Sequence, residues 1–159
     1  MNKDIKGKGD VLIFKNKVKI EVIDKATGKV KQVVETENVT LNPGAQFVIA
    51  CLDGTLGVAP APCQVVNLFD STKTYIKSLT GAFGTKTDTG SAWQNTVTAT
   101  DSSTDTYSIQ YLTLSPSTVT AYPGTASYFA NAQPSPISKG STDTLRISWT
   151  VSISYSSAP

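Results

Sequence analysis

The sequence predicts an all-β fold: an antiparallel β-sandwich or jelly-roll-like barrel of about eight to ten strands, with one short helix near residues 44–52. Three observations carry this expectation. The chain closes on strict alternation, with Leu145, Ile147, Trp149, Val151, Ile153 and Tyr155 on one parity and Thr144, Arg146, Ser148, Thr150, Ser152 and Ser154 on the other. A period of two is the signature of a strand with one face buried. Turn-forming clusters then recur at roughly ten-residue spacing, which suits a sandwich of short strands. Finally, charged residues make up only 16% of the chain, against the usual quarter or so, and Ser, Thr, Asn and Gln supply the polar surface instead.

Taken in chain order, residues 1–9 carry Lys3, Lys6 and Lys8 with no apolar pattern and read as a flexible basic arm, leaving 10–159 as a single domain. Val11 to Phe14 is a short apolar run fit for a strand. Val18, Ile20 and Val22 alternate with Lys19 and Glu21 as the first arm of a hairpin. Lys25 to Lys29 is its turn, with Gly28 free to take positive φ, and Val30 to Val39 returns as the partner strand. Asn42-Pro43-Gly44 has the form of a helix start. Phe47, Val48, Cys51 and Leu52 would share one face of a helix over Ala45 to Leu52, and that helix would plug an end of the β structure.

Two prolines, Pro60 and Pro62, keep 55–63 out of any ladder. Strands are expected at Gln64–Phe69 and Thr74–Leu79, then a glycine- and threonine-rich loop over Gly81–Ser91, then a strand over Trp93–Thr100. Beyond the Asp101–Asp105 turn, the pattern predicts strands at Thr106–Leu114, Thr118–Tyr122 and Ser127–Ala130. The closing strand, at about 3.3 Å per residue, would run about 35 Å and span a whole sheet.

The chemistry-bearing residues are sparse. No histidine occurs, which removes Ser-His-Asp and Cys-His nucleophilic machinery and His-bearing zinc sites. Cys51 and Cys63 are twelve residues apart and have no metal-ligand spacing. Cys51 reads as a small buried side chain among Phe47, Val48 and Leu52, and a disulfide to Cys63 would close a short loop. No phosphate-binding loop is present, so no cofactor and no metal are expected. Asp101-Ser-Ser-Thr-Asp105 has a loose likeness to a calcium loop but lacks its glycine and distal glutamate. The acids outside the first hairpin, Asp53, Asp70, Asp88, Asp101, Asp105 and Asp143, fall nearly all at turns, where Asp caps backbone amides, so a glycosidase pair is disfavoured.

The net charge is +2, with nine of the 14 basic residues in the first 40 positions, where six acids offset them. That excess is too small for a nucleic-acid stripe. No apolar run reaches membrane-span length and no leader pattern is read, so no membrane insertion and a first folding in a cytoplasm are expected. Among the aromatics, Trp149, Tyr107 and Tyr111 fall on buried parities, which leaves Tyr75 and Trp93 for an exposed role such as glycan contact.

Two stretches carry a resemblance. One is Thr36-Glu-Asn-Val-Thr-Leu-Asn-Pro-Gly-Ala-Gln-Phe-Val-Ile-Ala50; the other is Ile137-Ser-Lys-Gly-Ser-Thr-Asp-Thr-Leu-Arg-Ile-Ser-Trp-Thr-Val-Ser-Ile153. Together they resemble small β-structured virion proteins of tailed bacterial and archaeal viruses: capsid decoration, minor capsid or tail-associated proteins. Gly140-Ser-Thr-Asp143 carries two residues more than that group's Gly-Asp-Thr-Leu step. The resemblance implies a non-enzymatic virion structural protein, working as a symmetric homo-oligomer on major capsid or tail proteins. Attachment would run through the arm at Lys3, Lys6 and Lys8 and through strand edges. The alternative is a carbohydrate-binding or adhesion module that meets host-surface glycans through Tyr75 and Trp93.

Overall fold

A computed structural model describes residues 13–40, 62–122 and 129–154. They form an antiparallel β-sandwich with no helix among the described residues. The strands are β1 (Ile13–Asp24), β2 (Val30–Thr40), β3 (Val65–Phe69), β4 (Tyr75–Thr80), β5 (Ala82–Phe83) and β6 (Thr87–Asp88). They continue as β7 (Ala92–Asp101), β8 (Tyr107–Ile109), β9 (Tyr111–Ser115), β10 (Ala130–Ala132), β11 (Ile137–Lys139) and β12 (Asp143–Ser154). Ten of them make one sheet in the order β4-β3-β9-β10-β2-β1-β12-β7-β5, with β6 also on β7; β11 and β8 pair separately.

That sheet folds over on β2. Residues 30–38 of β2 pair with β1, whereas Val39 and Thr40 pair with β10. One layer is therefore β2-β1-β12-β7 with β5 and β6, and the other is β10-β9-β3-β4. The chain crosses back at Gly81, between β4 and β5. A Cβ there would lie 2.5 Å from Val97 Cγ1 and 3.0 Å from the Thr98 carbonyl oxygen, so only glycine fits the crossing.

The β1–β2 hairpin follows its alternation. Val18, Ile20 and Val22 are buried, while Lys17 and Lys19 turn outward. In the turn, the Asp24 carboxylate accepts the Thr27 N–H and hydroxyl at 2.8 and 2.9 Å, and Gly28 takes a φ of 67°. The closing strand is central: β12 pairs with β1 from Asp24↔Asp143 to Ile13↔Ser154, and with β7 from Leu145↔Asp101 to Ser154↔Ala92. Leu145, Ile147 and Trp149 are fully buried against Val66, Leu68, Leu112 and Leu114 of the other layer. Val151 and Ile153 keep the parity but are only half-buried. The reason is length: β9 and β10 have five and three residues against twelve in β12, so the second layer stops short.

Several expectations are corrected. The strand expected over Thr106–Leu114 is two strands, because Gln110 steps out of the ladder and donates its N–H to the Phe69 carbonyl at 3.0 Å. The parity flips there: Leu112 and Leu114 face the core, and Tyr111 turns to the outer face. Tyr111 is thus half-buried on the outer face, whereas Tyr107, on the parity of Ile109, is half-buried and packs against the core. Residues 118–122 are not a strand. They lie over the outer face of the second layer, where the Val119 N–H donates to Asn67 Oδ1 at 3.0 Å and the Tyr122 ring meets Phe69 and Tyr111. The loop over 81–91 contains β5 and β6, and β11 was not anticipated. The helix expected at 44–52, the arm at 1–9 and Cys51 lie outside the described residues.

The outer face of the second layer holds its own small polar core. Asn67 is fully buried and its amide donates to Thr113 Oγ1 and Ser115 Oγ at 3.0 and 2.8 Å. Its carbonyl oxygen accepts from the Ser78 hydroxyl at 2.6 Å as well as from Val119. Every hydrogen-bonding site of that side chain is used, which is what makes a buried amide affordable.

Candidate functional site

Where β12 and β7 outrun the second layer, an apolar cleft opens between the sheets. Its volume is about 560 Å³, within the range of small-ligand and peptide-side-chain sites. The first layer contributes Val151 and Ile153 from β12, Trp93 from β7 and Phe83 from β5. The second layer contributes Leu114 at the end of β9, Phe129 before β10, and Pro62 and Cys63 ahead of β3. Trp93 shares its parity with buried Val97 and Ala99, yet is 52% exposed, because the covering strands end below it. Phe83 is 45% exposed beside it. Lys86, Gln94 and Asn95 supply the polar groups of the lining.

The second residue expected on the surface, Tyr75, is elsewhere. It sits on β4, with its ring edge-on to Phe69 at 6.0 Å and its hydroxyl 2.9 Å from Ser78 Oγ. Trp93 and Tyr75 lie on different layers and make no common platform. Lys3, Lys6 and Lys8 lie outside the described residues. Near Tyr75 is an aromatic group that sequence reasoning missed: Tyr122 packs 5.2 Å from Phe69 and 5.0 Å from Tyr111. Lys73, held at a φ of 64°, places its ammonium 5.5 and 5.7 Å from the Tyr111 and Tyr122 rings. Only the pairing of β3 with β9 brings these rings together.

At the far end of β7 the sandwich is closed by charge. Asp101 extends the inward parity of Val97 and Ala99, is 5% exposed, and bonds both Lys77 of β4 and the Tyr107 hydroxyl. The Lys77 ammonium lies 3.2 Å from Asp101 and 2.7 Å from Asp105, tying the two layers together. Burial opposes ionisation of Asp101, but hydrogen bonds from Tyr107, Ser103 and Lys77 outweigh it and hold the carboxyl well below the usual carboxylate range. The same burial, with the bond to Asp101, pushes the Tyr107 phenol above its ordinary value. Lys139, 2% exposed, spends its ammonium on the carbonyls of Ser103 and Asp105 at 2.7 and 2.9 Å.

A lysine ammonium sits between the two carboxylates of the Asp101–Asp105 loop, where a calcium ion would have to sit. No group of three or more metal-ligating side chains occurs among the described residues. Both carboxyls are also held ionised, so neither has a proton to give as a general acid at neutral pH. Asp24, Asp70 and Asp143 accept backbone N–H bonds at turns, and Glu21 holds Arg146 and Lys19 at 2.8 and 2.9 Å.

Fold and cleft together define an antiparallel β-sandwich with an apolar cleft at one end. A scan of protein-family models, a search of curated proteins and a search of solved structures each find no match to this chain.

Proposed function

We propose that this chain is a non-enzymatic structural subunit of a virus particle, binding capsid or tail proteins as a symmetric oligomer. The observation that carries the reading is the apolar cleft at Trp93 and Phe83, whose largely apolar lining offers burial to a partner. Exposed aromatics beside a cleft are typical of contact surfaces, where a few such anchors supply most of the binding energy. The particle assignment rests on the two resembling stretches. In the second, Gly140 donates its N–H to Asp143 Oδ2 at 2.9 Å, so the two additional residues form a closed turn leading into β12. Mass spectrometry of virus particles from the culture that makes this chain is expected to find it at a fixed ratio to the shell or tail protein. Its absence from the particles, with the chain left in the host fraction, contradicts the proposal.

One observation favours a second reading, a glycan-binding module. Trp93 presents an exposed ring in a cleft whose lining also includes Lys86, Gln94 and Asn95, a combination suited to stacking and hydrogen-bonding a sugar. Under that reading Trp93→Ala abolishes binding on a glycan array at a cost in stability of about 1–2 kcal/mol, since about half of the side chain is buried. No binding by the unsubstituted chain removes it.

A further inference from the structure

We infer that β2 is a self-complementary edge, and that a second copy of this chain adds to it as an antiparallel strand centred on Val33. The inference deepens the oligomer reading above and rests on it. Along 30–38, β2 pairs with β1 on one side; on the other, the described residues pair only with its end, at Val39 and Thr40. In an antiparallel ladder alternate residues direct their N–H and C=O groups to opposite sides, so along the regular ladder from Gln32 to Asn38 half the backbone groups point away from β1; Lys31 is the extra residue of a bulge opposite the Val22–Ile23 step. An edge that the described residues leave open over this length is a template for another strand.

The sequence of the edge says which strand fits. From 29 to 37 it reads Lys-Val-Lys-Gln-Val-Val-Glu-Thr-Glu, basic in the first half and acidic in the second. Reversed against itself about Val33, Lys31 stands opposite Glu35 of the second copy and Lys29 opposite Glu37, and each pair occurs twice by symmetry. Val33, 49% exposed, then meets its own counterpart, and Val30, 46% exposed, stands opposite Thr36. Val33, Glu35 and Glu37 alternate outward on β2, and Lys31 at the bulge and Lys29 just before the strand are exposed as well, so the opposed charges would share the exposed side. Directly opposed side chains on one face of an antiparallel pair have Cβ atoms about 4.5–5.5 Å apart, close enough for ion pairing.

Within one chain these charges are only partly used. Glu35 holds Lys17 at 2.7 Å and Lys31 holds Asp143 at 2.7 Å, while Lys29 and Glu37 have no ion-pair partner among the described residues. Scattered lysines alone would guard an edge against pairing. Segregating the two signs about a valine instead gives a two-fold contact in which like charges are kept apart, the pattern of an isologous interface.

Sedimentation velocity on three proteins tests this. The unaltered chain is expected to sediment as a dimer or a multiple of it, against 16.8 kDa for one chain. Glu35→Lys/Glu37→Lys makes the edge wholly basic and Lys29→Glu/Lys31→Glu makes it wholly acidic. Each alone is expected to weaken association by at least about tenfold, and an equal mixture of the two to restore it. Val33→Lys, which touches no intrachain ion pair, is expected to dissociate the dimer too, and decides the matter if a charge variant does not fold. Association that persists unchanged in all variants, or a mixture that stays dissociated, overturns the β2 edge while leaving a symmetric oligomer standing. A monomeric unaltered chain overturns both.

Discussion

Asp101→Asn is expected to lower the unfolding free energy by about 3 kcal/mol, the lower end of the cost of breaking a buried ion pair. The charge is removed from a site 5% exposed, and Lys77 and Tyr107 lose their shared acceptor while remaining in place. Lys77 is 26% exposed and keeps Asp105, which holds the loss below the upper end of the range. The pH dependence follows from the same contacts. With its carboxyl depressed in the folded state, Asp101 contributes its stability above the ordinary carboxylate pKa of about 4. As pH falls below that value the unfolded chain takes up a proton that folded Asp101 still refuses, and the contribution drains away toward strongly acid conditions. Urea unfolding at neutral and acid pH should therefore show a gap between Asp101→Asn and the unaltered chain that narrows as pH drops. Glu21, Asp24, Glu35, Asp70, Asp105 and Asp143 are depressed as well, so a slope remains in the variant. A gap that is absent at neutral pH, or constant with pH, contradicts the role given to the Asp101 charge.

Trp149 should show the other large effect, and in a form that separates volume from hydrogen bonding. It is fully buried at the centre of β12, with Val18 and Val97 as its cross-strand neighbours. Trp149→Ala empties the middle of the sandwich, at an expected cost of about 3–5 kcal/mol. Its indole N–H has no hydrogen-bond partner among the described residues. Trp149→Phe therefore forfeits packing volume but no hydrogen bond, and should cost well under half as much as the alanine variant. Thermal or urea unfolding of the pair gives the ratio directly. Equal losses in both would mean that the indole nitrogen holds a bond that matters.

The elements legible in the sequence were those whose burial repeats with a period the chain itself displays. The hairpin of Val18, Ile20 and Val22 and the closing run from Leu145 to Trp149 are of this kind, because one face of each is covered along its length. Where coverage changes, the pattern stops informing. Val151, Ile153 and Trp93 keep the parity of core residues, yet line an open cleft because short strands of the other layer end beneath them. Nothing local in Trp93-Gln-Asn-Thr-Val97 records that.

The cleft was thus half visible: Trp93 stood out as a surface aromatic, but its partners Phe83, Leu114 and Phe129 meet it only through tertiary pairing. Gln110 and residues 118–122 went astray for the same reason, since the carbonyl of Phe69 and the buried amide of Asn67 draw them out of regular strands. Asp101 caps the Ser103 N–H at 2.9 Å as its turn position implied, and is a buried charge as well. The ladder opposite Leu145 runs one residue further than the turn signal implied and carries Asp101 inside.

The central claim, that this chain acts by contact as a symmetric assembly, is tested most directly by the mass of the unaltered protein in solution. Sedimentation from dilute to concentrated samples is predicted to give an even multiple of 16.8 kDa, with any dissociation at low concentration reversible. A protein that sediments as a single chain at every concentration would contradict the account.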